Sequence, residues 1–194
     1  QLMNNSDDFC VCILNQFQAN FSFQDYQKLM AMEKSKLFRD YGNKCLQNTP
    51  ENTSILSSIR FDALQYFKQK NYDKAIRLLN TGIIESGNGT AIDYNNIGKY
   101  YLFTKQFEKA LASLEKAQQK DPSELMVQMN MAHLYLLQNN FAGAKNLHKK
   151  YSKQNINATT TWKDKAFEDF KSFEEVGFDK ELFSRMIKFL ETEK

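Results

Sequence analysis

The sequence predicts an all-α protein built from a helical hairpin that recurs three times. Three observations carry that expectation. The 194 residues include seven Gly and two Pro, too few turn formers for a β-sandwich or barrel with a turn every ~8–12 residues. Apolar residues recur at helical spacing, yet no run approaches the ~18–20 residues that cross a membrane. The chain also resembles itself at a nearly fixed period. Ala63 and Tyr66, Gly98 and Tyr101, and Ala132 and Tyr135 each place a tyrosine three positions after a small residue. Twelve residues after each small residue comes another, namely Ala75, Ala110 and Ala144. An aromatic, Tyr72, Phe107 or Phe141, sits three positions before each of these. The copies are offset by 35 and then 34 residues.

Two antiparallel helices in close contact produce this pattern. Small side chains on facing surfaces let the backbones approach to the short end of the usual ~8–10 Å. In the second copy Tyr94, Ile97, Tyr101 and Leu114 fill the space beside them. Thr104-Lys105-Gln106 is the expected turn, with Phe107 just past it covering the junction. Asp121-Pro122 ends the second helix, since proline excludes helix before and within itself.

These residues resemble the tetratricopeptide repeat family. The second copy, Ala91 to Glu124, keeps the family pattern nearly throughout: Tyr94, Ile97-Gly98, Tyr101, Phe107, Ala110, Leu114, Ala117 and Pro122. The third keeps Met131-Ala132, Tyr135, Phe141 and Ala144, then departs at His148 and Tyr151 and lacks the closing proline. The first keeps Ala63, Tyr66, Tyr72, Ala75 and Leu79. It has Asp62 at an apolar position and Ser86-Gly-Asn-Gly89 in place of Asp-Pro. The resemblance covers about half the chain and implies an α-solenoid of three helix-turn-helix repeats, over 56–90, 91–124 and 125–152.

Stacked repeats leave an open apolar face at each end and so need caps. Thr161 and Asp164 form a helix-start signal ahead of the stripe Trp162, Ala166, Phe170 and Phe173. Gly177 ends that helix, and Asp179 opens a last one carrying Leu182, Phe183, Met186, Ile187 and Leu190. Residues 153–194 therefore read as C-terminal capping helices. Residues 1–54 carry no repeat. Stripes at Phe9, Cys12, Ile13 and Phe17, at Tyr26, Leu29 and Met30, and from Leu37 to Leu46 predict two or three short helices packed on the first repeat.

Charge is uneven. Residues 55–151 hold thirteen basic and eight acidic side chains, an excess of five, while each flank carries a net −1. The basic middle suits an acidic protein or peptide partner. The chain's total of +3, without clustered Arg or interleaved aromatic and basic residues, does not point to nucleic acid. Residue 1 is Gln rather than Met, as in a processed chain. Residues 9–14 are too short an apolar run for a signal peptide.

Catalysis is not expected. His133 and His148 lie apart, and no GxSxG, HExxH, Walker-type or GxGxxG motif occurs. Neither a metal nor a cofactor is expected. The three cysteines are Cys10, Cys12 and Cys45. Cys45 pairs with Cys10 or Cys12 in one reading, which places the chain in an oxidising, periplasmic or secreted setting. In the other, all three are reduced core residues.

The family resemblance implies a concave groove lined by the first helix of each repeat. It assigns Arg60, Phe61, Leu64, Phe67 and Lys68, then Ile92, Asn95, Asn96, Lys99, Leu102 and Phe103, then Met126, Met129, Asn130, His133, Leu136 and Leu137. Arg60, Leu64, Asn95, Asn96, Lys99, Phe103, Met129, Asn130 and His133 are the candidate ligand contacts. Asn pairs with peptide N–H and C=O together, and Arg or Lys takes a carboxylate. A basic clamp for a chaperone C-terminus is not expected, because only Arg60 and Asn96 match it. The expected function is thus a non-catalytic protein–protein adaptor. The competing expectation is a structural subunit of an envelope or secretion assembly that stacks through flat surfaces.

Overall fold

The structure, a computed structural model, describes residues 33–34 and 50–192. The chain divides into two compact units, 1–58 and 59–194. Residues 50–192 hold eight α-helices: α1 (Pro50–Lys68), α2 (Tyr72–Leu79), α3 (Ala91–Phe103), α4 (Phe107–Lys120), α5 (Leu125–Leu137), α6 (Phe141–Tyr151), α7 (Trp162–Glu175) and α8 (Lys180–Thr192). A π-helical turn, Asn80–Ile84, extends α2. Among the described residues the only extended pairing is an isolated antiparallel bridge between Asn155 and Thr161. The all-α expectation is met. The short helices expected before residue 50, and all three cysteines, fall outside the described residues apart from the helical pair 33–34.

The self-similarity of the sequence reappears as backbone geometry. Helices α1–α2, α3–α4 and α5–α6 are joined by three-residue connections. Each contains one residue in the left-handed region: Lys70 (φ 61°), Lys105 (φ 58°) and Asn139 (φ 62°). In each turn the following N–H reaches a carbonyl five residues back. Asn71 donates to Tyr66 (2.9 Å), Gln106 to Tyr101 (3.0 Å) and Asn140 to Tyr135 (2.8 Å). This is the Schellman closure, which satisfies carbonyls that a helix end would otherwise leave bare. Two of the three left-handed positions are Lys, where a Cβ carries a steric cost. The closure and the packing behind it outweigh that cost.

Packing follows the small residues. Ala63, Ala75, Ala110, Ala132 and Ala144 are fully buried. At Gly98 a Cβ would meet Leu114 Cγ at 2.7 Å, so α3 and α4 touch through the absence of a side chain. Two helix starts carry capping boxes, of which the sequence signals gave the one at Thr161. Thr90 with Asp93 and Thr161 with Asp164 each form a reciprocal capping box. The longer first spacing is accommodated by the π-helical turn and the connection after it, which passes through Gly87 at φ 78°.

Helices α7 and α8 form a fourth turn of the same type, at Gly177 (φ 85°), where Phe178 N–H donates to Phe173 (3.2 Å). Aligned on that turn, Phe170 and Leu182 stand where the other hairpins carry small residues. Contact here is by large rings, with Phe170 stacked on Phe183 at 5.2 Å. Trp162, Phe170, Phe173, Phe183, Met186 and Leu190 are buried, in one core with residues of α3 to α6.

Candidate functional site

The nine candidate groove residues do not share one fate. Lys99, Phe103 and His133 meet α7, while Arg60, Leu64 and Asn96 lie toward α1. Asp169 on α7 is 2% exposed. Lys99 Nζ donates to its Oδ1 at 2.8 Å and Lys165 Nζ lies 3.1 Å from the same oxygen. His133 Nε2 lies 3.3 Å from Oδ2. Burial alone would raise the Asp169 pKa. The His133 hydrogen bond and the Lys99 and Lys165 charges outweigh it and hold the carboxyl well below the usual range. Asp169 is therefore a buried carboxylate with its cations in place.

His133 is fully buried, and burial holds its pKa below the ordinary value although Asp169 pulls the other way. Its ring packs edge-on against Phe170 and Phe173. His148, on α6, is also fully buried, and burial pushes its pKa down to about 3. Trp162 Nε1 donates to its Nδ1 at 3.0 Å, which puts the remaining ring proton on Nε2. His133 Nδ1 and His148 Nε2 find no hydrogen-bond partner among the described residues. His148 is one of the positions at which the third repeat departs from the family pattern. The structure gives the departure a use, since His148 receives the indole that starts α7.

The other inner residues of α3 and α5 are committed as well. Asn130 Nδ2 donates to Asn95 Oδ1 at 2.8 Å, with both residues buried. Met129 is fully buried. Phe103 packs on Phe67 (5.0 Å), Tyr72 (5.2 Å) and Phe173 (4.6 Å). Asn95, Met129, Asn130 and His133 are thus buried, and Lys99, Phe103 and His133 are in direct contact with α7. The C-terminal segment lies against the inner side chains of two hairpins, which goes beyond the end cap expected of it.

The α1 end differs. Arg60 grips Asp93 through two parallel bonds, Nε to Oδ1 and Nη2 to Oδ2, both 2.8 Å. Burial pushes Asp93 up, but Arg60 and the Thr90 N–H and hydroxyl more than compensate and hold it low. Arg60 is therefore occupied by the protein's own carboxylate. Around this pair Phe61 is 60% exposed, Ile92 57% and Leu64 41%. Asn96 is half-buried. Phe61, Leu64 and Ile92 all occupy expected groove positions.

Sequence reasoning missed Asp93, Asp169 and Lys165 as determinants of this surface. A signal existed for two of them. Asp169 falls three after Ala166 and four before Phe173, on the apolar stripe itself, where an acid must find a partner. Asp93 sits three after Thr90, the capping-box position. No group of three or more His, Cys, Asp or Glu able to hold a metal occurs among the described residues. No described helix is long and apolar enough to cross a membrane.

No family model matches the chain, and no curated protein or solved structure matches it either.

Proposed function

We propose that this chain is a non-catalytic adaptor of the tetratricopeptide type, whose ligand surface is the α1–α3 end of the inner face. The threefold hairpin with its recurring left-handed turn supports the repeat reading. One observation carries the functional reading. Phe61, Leu64 and Ile92 are large apolar side chains left open at groove positions, where monomeric proteins rarely gather such residues without a binding role. With Arg60 held by Asp93, the ligand is an apolar peptide or helix face rather than a free carboxylate. Half-buried Asn96 supplies the adjoining polar contact.

The test is selection from a displayed peptide library against the full chain. Enriched peptides should share an apolar anchor and bind a Phe61→Ala, Leu64→Ala, Ile92→Ala variant at least about tenfold more weakly, since three anchors of ~1 kcal/mol or more each exceed that factor. Circular dichroism confirms that the variant is folded. Peptides that bind both chains equally would move the ligand site elsewhere and sink this reading.

A further inference from the structure

The chain carries the pattern Asn-X-Ser/Thr, with X other than Pro, at five places: Asn4, Asn20, Asn52, Asn88 and Asn157. Each is a potential acceptor of an N-linked glycan. Two of them, Asn88-Gly89-Thr90 and Asn157-Ala158-Thr159, lie where both reacting side chains are described, and their surroundings are opposite.

At Asn88 the groups a glycan transfer needs are in use. The side-chain nitrogen Nδ2 donates to Ser86 Oγ at 2.9 Å. The Thr90 hydroxyl caps α3, donating to Asp93 Oδ2 at 2.8 Å and accepting from the Asp93 N–H. Gly89 between them is buried, and a Cβ there would meet Ile84 at 2.7 Å. These are contacts over two and three residues, so they compete in a nascent chain as well as in the folded one.

Asn157 is arranged the other way. Residues 157–159 are all exposed. They sit at the tip of the connection between α6 and α7, pinned at its base by the Asn155–Thr161 bridge and by Trp162 N–H on Gln154 (2.9 Å). Thr159 donates both its backbone N–H (2.9 Å) and its hydroxyl (3.1 Å) to Asn157 Oδ1. Nδ2 meets no acceptor among the described residues. Two donors on Oδ1 draw electron density from the amide and make its N–H more acidic. Loss of that proton is what converts a resonance-stabilised amide nitrogen into a nucleophile.

We infer that Asn157 is an N-glycosylation site, modified on its exposed Asn-Ala-Thr turn, and that Asn88 is passed over. The co-substrate is a glycan on a polyisoprenyl pyrophosphate, handled by its transferase. Nδ2 forms a bond to the anomeric carbon, the bond from that carbon to the phosphate oxygen breaks, and the lipid pyrophosphate leaves with its electron pair. The Nδ2 proton goes to a base of the transferase. Such a chain passes through a secretory compartment, the setting that a Cys45 disulfide would also require.

The test uses full-length chain purified from its source cells. It is treated with peptide-N-glycosidase in heavy-oxygen water, which converts a glycosylated asparagine to a labelled aspartate, and read by peptide mass spectrometry. The label is expected at Asn157 and not at Asn88. Expressed through a secretory host, Asn157→Gln and Thr159→Ala should each lose one glycosidase-sensitive gel shift. Thr159→Ser, which keeps the hydroxyl, should retain it, and so should Asn88→Gln. The variants lie in an exposed loop, so an unchanged melting temperature separates loss of glycan from loss of fold. An Asn157 peptide recovered wholly unmodified from source cells overturns the assignment. Occupancy at Asn88 equal to that at Asn157 overturns the geometric argument behind it.

Discussion

Leu64, Lys99 and His133 occupy one position of the repeat, related by the 35- and 34-residue offsets, and they meet three different environments. Leu64 is 41% exposed, Lys99 is tied to Asp169 with its side chain 15% exposed, and His133 is fully buried against α7. The same holds one residue set earlier, where Arg60 reaches partly into solvent while Asn95 and Met129 are buried. Position in a repeat decides which way a side chain points. What it meets there depends on whether another segment returns to that face. In this protein α7 returns over α3 and α5 and leaves the α1 end open.

One substitution made in both regions tests this contrast most severely. Phe173→Ala should cost about 3–5 kcal/mol in a denaturant titration, because a buried ring is lost between Phe103, His133 and Phe183. Phe61→Ala should stay within about 0.5 kcal/mol, as exposed positions do. Equal costs at the two sites would mean that the α1 end is covered too.

A second pair probes the shared repeat position. Lys99→Met should destabilise by about 1.5–3 kcal/mol, since a buried carboxylate loses a charge-assisted bond, while Leu64→Met should change stability by less than about 0.5 kcal/mol. If Lys99→Met melted like the parent chain, Lys165 and His133 would suffice for Asp169.

Acid provides the third and shallowest test. Folded His133 and His148 have depressed pKa values, so the unfolded chain binds more protons below its own histidine value of ~6.5. Their contribution is complete above that pH and is lost as pH falls through it toward the folded values, by up to about 1.4 kcal/mol per pH unit for each group. Asp93 and Asp169, also depressed, add their loss only at lower pH, below the ordinary carboxylate value of ~3.9. His148→Gln keeps an acceptor for Trp162 and should reduce the slope of stability between roughly pH 6 and 4.5 by one proton's worth. A slope unchanged in that variant would show that His148 is not the titrating group.

Much of the fold could be read from residues alone. The hairpin turns, the small-residue contacts and the Thr161 cap appeared where the pattern placed them, whereas the Thr90 cap came only with the structure. Each depends on groups within about five residues or on a helix pair joined by a short turn, so sequence spacing maps onto geometry. The π-helical turn at Asn80–Ile84 was not legible, since no residue type marks it. The candidate site was legible only in part. The groove positions were named from the repeat, but which of them stay open was not.

Residue order alone thus specifies the repeated hairpin, its turns, its caps and the two faces of each helix, because these rest on local hydrogen bonds and helical period. Long-range packing selects which inner residues stay exposed. That outcome depends on contacts such as Lys99 with Asp169, 70 residues apart, and His133 with Asp169, 36 apart. A stripe of large rings on α7 favours burial against α3, α5 and α6 over exposure to water, and Lys99 and Lys165 offset the cost of burying Asp169 with it. No spacing rule within one repeat contains that choice.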